Sequence, residues 1–196
     1  ILNDDHYNSG AVTFSANVAY VAKYPGDLGN SLRVSQCDSA AAFNTTLNIV
    51  ANADIAATSN IAYQTGSTQA VVSVGFAGGG TQATANTQAY VIKNGLQVGD
   101  KIKVGNTTIG SQYVRVAAVG AVTGNSTIAT FTLTLSEPYR LHTNWSSTSV
   151  NRFWEFFDRV EAAPGQSEYQ ASYGNTAAND EVHVVIVDEG GRFTGA

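Results

Sequence analysis

The stretch Ala129-Thr-Phe-Thr-Leu-Thr-Leu135 places apolar side chains at every second position, with threonines between them. Successive side chains of a β-strand point to opposite faces, so this period of two predicts a strand with one buried face. Similar short runs precede it at residues 101–104 and 113–119, and asparagine–glycine or glycine–asparagine pairs punctuate the region. Such pairs tolerate the positive φ of tight hairpins. The stretch and its neighbours therefore predict antiparallel β-structure.

The region around this stretch also differs in charge from the rest of the chain. Residues 86–135 carry four basic side chains against one acidic side chain, whereas the remainder is strongly acidic. A change of sign within one chain indicates a separate unit. We therefore predict an inserted, small, antiparallel and barrel-like β subdomain over 86–135, with further short runs at 90–93 and 107–109. Residues 78–88, rich in Gly, Thr and Ala, form its predicted entry linker.

The remaining residues, 1–85 and 136–196, are predicted to form one discontinuous core domain. Candidate strands are residues 18–22, 31–35, 71–76 and 182–187, the last apolar enough to be buried on both faces. Residues 150–160 are predicted to form a helix capped by Ser149, because their aromatic side chains recur at helical spacing. Residues 192–194 start a predicted return strand. The expected fold class is α+β and β-rich, a mixed sheet with a few helices.

Composition excludes several classes of protein. Val, Ile and Thr together number 50 against 8 Leu, which disfavours a helical bundle because β-branched side chains lose rotamer freedom in helices. Apolar residues make up 43% of the chain, enough to exclude a disordered chain. No run approaches the roughly 18 apolar residues of a membrane span. The net charge of −5 disfavours nucleic-acid binding, and the single Cys37 favours a reducing compartment during folding.

The histidines are the first candidates for chemistry. His183 follows Asp180 and precedes Asp188, but no G-x-S-x-G motif presents a nucleophilic serine beside them. His6 follows two aspartates near the start of the chain, where a solvated turn is the simpler explanation than a metal site. His142 has no titratable neighbour in sequence. We therefore expect no catalytic residue, no cofactor and no metal, and a protein that is not an enzyme.

A binding role is a second possibility from another class. Small β-barrels bind oligosaccharides or nucleic acids on exposed aromatic side chains. The predicted insert contains Tyr90, Tyr113 and Phe131. Three aromatic residues over this length are also ordinary core content. The alternative function is accordingly a carbohydrate- or host-surface-binding β module centred on these residues.

Three separated motifs carry a resemblance to a known family. Tyr20-Val-Ala-Lys-Tyr-Pro-Gly-Asp-Leu-Gly-Asn-Ser-Leu-Arg-Val-Ser35, the aromatic residues 156–157 with Ala163-Pro-Gly-Gln-Ser167, and Asp180-Glu-Val-His-Val-Val-Ile-Val-Asp-Glu-Gly-Gly-Arg-Phe-Thr-Gly195 occur in that order. Together with Leu2-Asn-Asp-Asp-His-Tyr7, they resemble segments of the contractile tail sheath proteins of bacteriophages. The motifs bracket nearly the whole chain, but residues 86–135 match nothing in the family pattern.

The resemblance implies a structural protein of the virion tail, assembled in the cytoplasm of the host bacterium. Its partners would be other sheath subunits, in a helical or stacked-ring homo-oligomer, and the tail tube. Because the chain contains no methionine, we expect a protease-resistant middle fragment. The resemblance implies that the elements joining neighbouring subunits lie near the two ends of a longer protein, so the fragment is expected to be monomeric. We also expect that it binds neither nucleic acid nor membrane. A sheath from a bacterial contractile injection device is the alternative within the class. The motif residues implied to fix the scaffold are Tyr24, Pro25, Gly26, Gly29, Asn30, Pro164, Gly165, His183, Asp188, Gly190, Gly191 and Gly195.

Overall fold

The computed structural model describes residues 8–9, 19–24, 26–125, 127–174 and 179–195. The chain divides into two compact units, one made of residues 1–39 with 164–196 and the other of residues 40–163. The described residues are rich in strands, which confirms the predicted α+β class. Their strand pairs are all antiparallel.

The described elements are, in chain order, α1 (Gly26–Asn30), β1 (Leu32–Cys37), α2 (Ala40–Phe43), β2 (Asn44–Asn48), β3 (Asn60–Tyr63), β4 (Gln69–Gly75), α3 (Gln82–Asn94), β5 (Lys101–Asn106), β6 (Gly110–Val119), β7 (Thr123–Gly124), β8 (Ile128–Leu135), β9 (Trp145–Ser147), β10 (Ser149–Phe153), a 3-10 helix (Phe157–Arg159), α4 (Glu168–Tyr173) and β11 (His183–Asp188). In the larger unit the strands pair in the order β2-β10-β5-β6-β8-β4-β3-β9, and β7 adds to β8. This path has two ends, so the sheet does not close into a barrel.

Strand β8 lies in the interior of the sheet, between β4 and β6. Its side chains alternate strictly between buried and half-buried, as the sequence predicts, with Phe131, Leu133 and Leu135 in the core. Fully burying an apolar side chain of this size contributes roughly 1.5–3 kcal/mol. Register pairs Phe131 with Val72, which is also buried. The alternation therefore fixes which face of the sheet is the core of the larger unit.

Helix α3 corrects two predictions. Residues 90–93 are helical and not a strand, and most of the predicted linker 78–88 lies in the same helix. Thr81 begins the helix with a capping box, in which Thr81 and Thr84 satisfy each other's backbone N–H groups. Ala85, Ala89 and Ile92 are buried against the sheet. Their spacing of four and three residues is the helical signal that the small side chains conceal.

The predicted helix 150–160 is wrong. The chain instead forms β10 and then the 3-10 helix Phe157–Arg159. Strand β10 pairs with β2 on one side and with β5 on the other, and its Val150 and Arg152 are buried. Because residues 151–153 pair with a strand on each side, their backbone hydrogen bonds are made within the sheet. A helix over these residues would lose both strand pairings.

The two units do not follow the predicted domain limits, which were 1–85 with 136–196, and 86–135. Strands β5 and β8 lie inside the predicted insert, yet β5 pairs with β10 and β8 pairs with β4, both of which lie outside it. Strand β6 is long enough to pair with β5 over residues 110–115 and with β8 over residues 116–119, where the register shifts between Val116 and Ala118. Residues 107–109, predicted as a strand, form the turn between β5 and β6.

In the smaller unit, β1 and β11 form a two-stranded antiparallel sheet. Strand β11 is not buried on both faces as predicted, because Val184 and Ile186 are exposed. The predicted return strand 192–194 is a turn, and residues 19–22 have no regular structure, while residue 18 of that predicted strand lies outside the described residues. Among the described residues no helix has the length and apolar character needed to cross a membrane.

Candidate functional site

The carboxylate of Asp188 organises the end of β11. Its Oδ1 accepts hydrogen bonds from Ser31 Oγ at 2.6 Å and from the backbone N–H of Arg192 at 3.1 Å. Its Oδ2 accepts from the backbone N–H groups of Phe193 and Thr194 at 2.8 and 2.9 Å. The hydrogen bond from Ser31, with these backbone bonds, lowers the pKa of Asp188 well below its ordinary value. The ionised carboxylate of Asp188 therefore connects the end of β11 to Ser31, directly before β1.

The two glycines of the first motif are required for different reasons, close packing at Gly29 and backbone conformation at Gly26. A Cβ added at Gly29 would lie 2.0 Å from the backbone oxygen of Tyr24, so only glycine fits. Gly26 begins α1 with a φ of +69°, in the region that favours glycine. Asn30 ends α1 directly before Ser31, and Pro25 lies outside the described residues. The motif thus holds a tight turn against the strand that carries the Asp188 contact.

The second motif contacts the start of the third. The backbone N–H of Gly165 donates to Glu181 Oε2 at 2.9 Å, and the backbone N–H groups of Asp180 and Glu181 both donate to the Gly165 oxygen at 3.1 Å. The Asp180 carboxylate accepts from the backbone N–H and the hydroxyl of Ser167, which lowers its pKa. Pro164, next to Gly165, is buried. The pair Asp180-Glu181 consequently fixes a loop.

An apolar pocket of about 620 Å³ lies on the smaller unit, and we call it the Tyr24 pocket. Its aromatic lining consists of Tyr20, Tyr24 and Phe193, whose rings at 24 and 193 are 6.1 Å apart between centroids. Leu32 and Ile186 extend the lining along the two strands. Tyr20, Tyr24, Ile186 and Phe193 are each at least 43% exposed. This concentration of exposed apolar groups is typical of an interaction surface.

His183 pairs in register with Cys37, at the far end of β11 from Asp188, so β11 holds His183 and Asp188 apart. The carboxylates of Asp180 and Asp188 accept hydrogen bonds from Ser167 and Ser31. In the part of the chain that the structure describes, no group of three or more His, Cys, Asp or Glu side chains could hold a metal ion. His6 and the segment 2–7 lie outside that part.

A second pocket, of about 330 Å³, lies on the outer face of the larger unit, and we call it the Tyr113 pocket. Tyr113 stands on β6, with its ring centroid 5.4 Å from that of Phe153 and 5.2 Å from that of Phe157. Phe153 and Phe157 are 4.7 Å apart. The incorrect helix prediction concealed this cluster. Alternation along β5 and β6 was the available signal, because Ile102 and Val114 are buried and their neighbours must face outward.

Three of the four charged groups that line the Tyr113 pocket, Lys101, Arg115 and Asp158, form ion pairs. Lys101 Nζ donates to both carboxylate oxygens of Asp158 at 3.0 Å and lies 5.4 Å from the centroid of the Phe157 ring. The hydrogen bond from Lys101 lowers the pKa of Asp158. Arg115 forms an ion pair with the buried Glu155 and donates from Nε to the Gly99 oxygen at 3.1 Å. The pocket therefore offers fixed donors and acceptors without a large excess of one charge.

The three aromatic residues proposed from the sequence have different positions. Tyr113 is 41% exposed and lines the pocket. Tyr90 is exposed on α3 and does not line it. Phe131 is buried in the core and cannot contact a ligand at the surface.

Comparison with known proteins gives no match: no family model, curated protein or solved structure is significantly similar to the chain.

Proposed function

We propose that the chain is a structural subunit of a contractile phage tail sheath. In this function, copies of the full protein polymerise around the tail tube in the virion and contract to drive the tube through the host envelope. The partners are other sheath subunits and the tube, and the sheath is assembled in the bacterial cytoplasm. No bond-breaking chemistry is required of the chain.

The observation that carries the proposal is that parts of all three separated motifs meet in one folded unit. Ser31, in the first motif, donates to Asp188, in the third, across 157 positions of sequence. Gly165, in the second motif, is bonded to Asp180 and Glu181 at the start of the third. Residues that match one family pattern are expected to fold together if the resemblance reflects a shared scaffold. Residues 20–35, 164–167 and 180–195 of the motifs lie within this unit, whereas the aromatic residues 156–157 belong to the larger unit.

The exposed apolar groups of the Tyr24 pocket support an assembly role. Aromatic side chains are enriched at protein–protein interfaces, where they bury a large area with few rotatable bonds. Tyr24 and Phe193 belong to the first and third motifs, and both are exposed. A subunit that joins many copies of itself needs such surface, whereas an isolated globular domain does not.

Electron microscopy of the complete gene product that contains this sequence tests the proposal. Expressed in full under conditions that permit assembly, the protein should form hollow tubes. Gly29→Ala should abolish them, because the added Cβ would overlap the backbone oxygen of Tyr24. Gly78→Ala is the matched control, since a Cβ there meets no atom within 4 Å.

A full-length protein that stays dispersed under these conditions contradicts the proposal. A Gly29→Ala variant that assembles as well as the control would instead contradict the part assigned to Gly29 in the turn. The genes that flank the coding sequence separate a phage tail from a bacterial injection device, because a phage origin requires capsid and packaging genes nearby.

A further inference from the structure

We propose that the Tyr113 pocket binds an uncharged saccharide. The proposal concerns the larger unit alone and does not depend on the tail-sheath function. It rests on three properties of the pocket: a rigid exposed aromatic ring, two cations that are already paired with carboxylates, and a size suited to one or two sugar rings.

The ring of Tyr113 is held in place before a ligand arrives. Phe153 and Phe157 pack against it at 5.4 and 5.2 Å, and its backbone is paired with β5. A ligand that stacks on Tyr113 therefore immobilises little that is not already fixed, and preorganisation of this kind favours binding. Because 41% of Tyr113 is exposed, the ring retains accessible surface for an apolar ligand face.

The polar lining favours a hydroxylated ligand over an anion. Lys101 is bound to Asp158 and Arg115 to Glu155, so neither cation is left uncompensated for a phosphate. Glu137 adds a further exposed carboxylate to the lining, which disfavours an acidic ligand. A sugar hydroxyl both donates and accepts, so neighbouring ammonium and carboxylate groups can bind adjacent hydroxyls without a change in net charge.

The pocket volume limits the length of the ligand inside it. A volume of about 330 Å³ is near the lower end of the roughly 300–1,000 Å³ found for small-molecule sites. One or two sugar rings fit, with the rest of a longer glycan in solvent. Recognition of a terminal or internal residue in a longer chain therefore suits the site better than enclosure of a whole oligosaccharide.

Titration of the 196-residue chain, followed by amide chemical shifts in NMR, tests the proposal. The probes are maltohexaose, cellohexaose and chitohexaose, with oligothymidylate as the anionic comparison. At least one neutral oligosaccharide should shift the amide signals of Lys101, Tyr113 and Phe157, and oligothymidylate should bind more weakly. If none of the three shifts these signals at millimolar concentration, or if oligothymidylate binds more tightly at this site, the proposal is overturned.

Amino-acid substitutions test whether the Tyr113 side chain contributes to saccharide binding. Tyr113→Ala should weaken binding by about fivefold or more, the effect expected from loss of one stacking ring. Tyr113→Phe should retain most of the affinity, and Tyr90→Ala, an exposed tyrosine outside the pocket, should leave it unchanged. Equal losses from Tyr113→Ala and Tyr90→Ala contradict the assignment.

If Tyr113→Ala does not fold, Asp158→Asn supplies a second comparison. It releases Lys101 from its ion pair, so saccharide binding should weaken and oligothymidylate binding should strengthen. A variant in which both affinities equal those of the unmodified chain contradicts the part assigned to the charged pair.

Discussion

Removal of the carboxylate of Asp100 should destabilise the larger unit more than removal of any exposed acidic group. Asp100 Oδ2 accepts from Arg152 Nε at 2.9 Å and from the backbone N–H of Gln97 at 2.7 Å. The side chains of Asp100 and Arg152 are only 5% and 11% exposed. After Asp100→Ala the Arg152 guanidinium would keep its bond to the Ala41 oxygen but lose its counter-charge.

The expected magnitude follows from this burial. Breaking a buried ion pair by removing one partner costs about 3–5 kcal/mol, because it leaves a charge without compensation in a region of low dielectric. The lost bond to Gln97 belongs to the same local network, so its contribution is not simply additive. Asp158→Ala is the matched control. Its pair with Lys101 is 48% exposed on the aspartate side, and exposed pairs contribute about 0–1 kcal/mol.

Urea unfolding monitored by tryptophan fluorescence measures the change in stability of the larger unit. Trp145 and Trp154 both belong to the larger unit, so the signal does not depend on the smaller one. Asp100→Ala should lower the free energy of unfolding by about 3–5 kcal/mol, and Asp158→Ala by less than about 1 kcal/mol. If the two variants lose the same amount, the buried pair does not have the importance that its geometry implies.

A double variant separates the cost of an unpaired charge from the value of the pair itself. Apolar residues of similar volume can replace a buried ion pair with little loss, because the cost of desolvating both charges disappears. Asp100→Leu combined with Arg152→Met should therefore be more stable than Asp100→Ala alone. A double variant that is less stable than the single variant contradicts this explanation.

Three further predictions concern the smaller unit and α3. The lowered pKa of Asp188 means that the stabilisation from its carboxylate is present above the ordinary carboxyl pKa and is lost as pH falls towards the pKa of the folded state. At neutral pH, hydrogen exchange of the Phe193 amide should therefore differ between the unmodified chain and Asp188→Asn. In strong acid this difference should vanish. Thr81→Ala should lower the free energy of unfolding, measured in urea, by about 1 kcal/mol. Thr87→Ala, at an exposed position within the same helix, should not lower it. Equal losses in the two variants would contradict the capping box. The Cys37 thiol is fully buried and should react with a thiol reagent only after unfolding, so rapid labelling of the native chain would contradict its position.

Local sequence patterns were sufficient where neighbouring residues decide the structure. The alternation of β8 predicted both its type and its buried face, because the core lies on one side of a period-two element. The turn predicted at residues 105–106 was placed too early, because both residues belong to β5 and residues 107–109 form the connection to β6. The prediction of β8 depends on chain geometry over a few residues and not on distant partners.

Prediction failed where a distant partner decides. Arg152 is charged, so alternation along β10 is not visible in a hydrophobic pattern. It is buried because Asp100, far away in sequence, supplies its counter-charge. The aromatic residues around it then suggested a helix, and the Tyr113 pocket went undetected because Phe157 was placed on the wrong element. Helix α3 was missed for a related reason: its core side chains are mainly alanines, which contribute little to a hydrophobic pattern.

In the sequence, the residues of the larger unit come between β1 and β11, and this order affects how the smaller unit forms. The backbone N–H of Trp154 donates to the oxygen of Phe43 at 2.8 Å, so folding of the larger unit brings its own two ends together. The free loop that β1–β11 pairing must close is thereby shortened about fourfold, which lowers its entropic cost by about 1 kcal/mol. We therefore expect the larger unit to fold first. In pulse-labelling hydrogen exchange, the amides of β8 should become protected before those of β11. The reverse order would show that the smaller unit forms without prior folding of the larger unit.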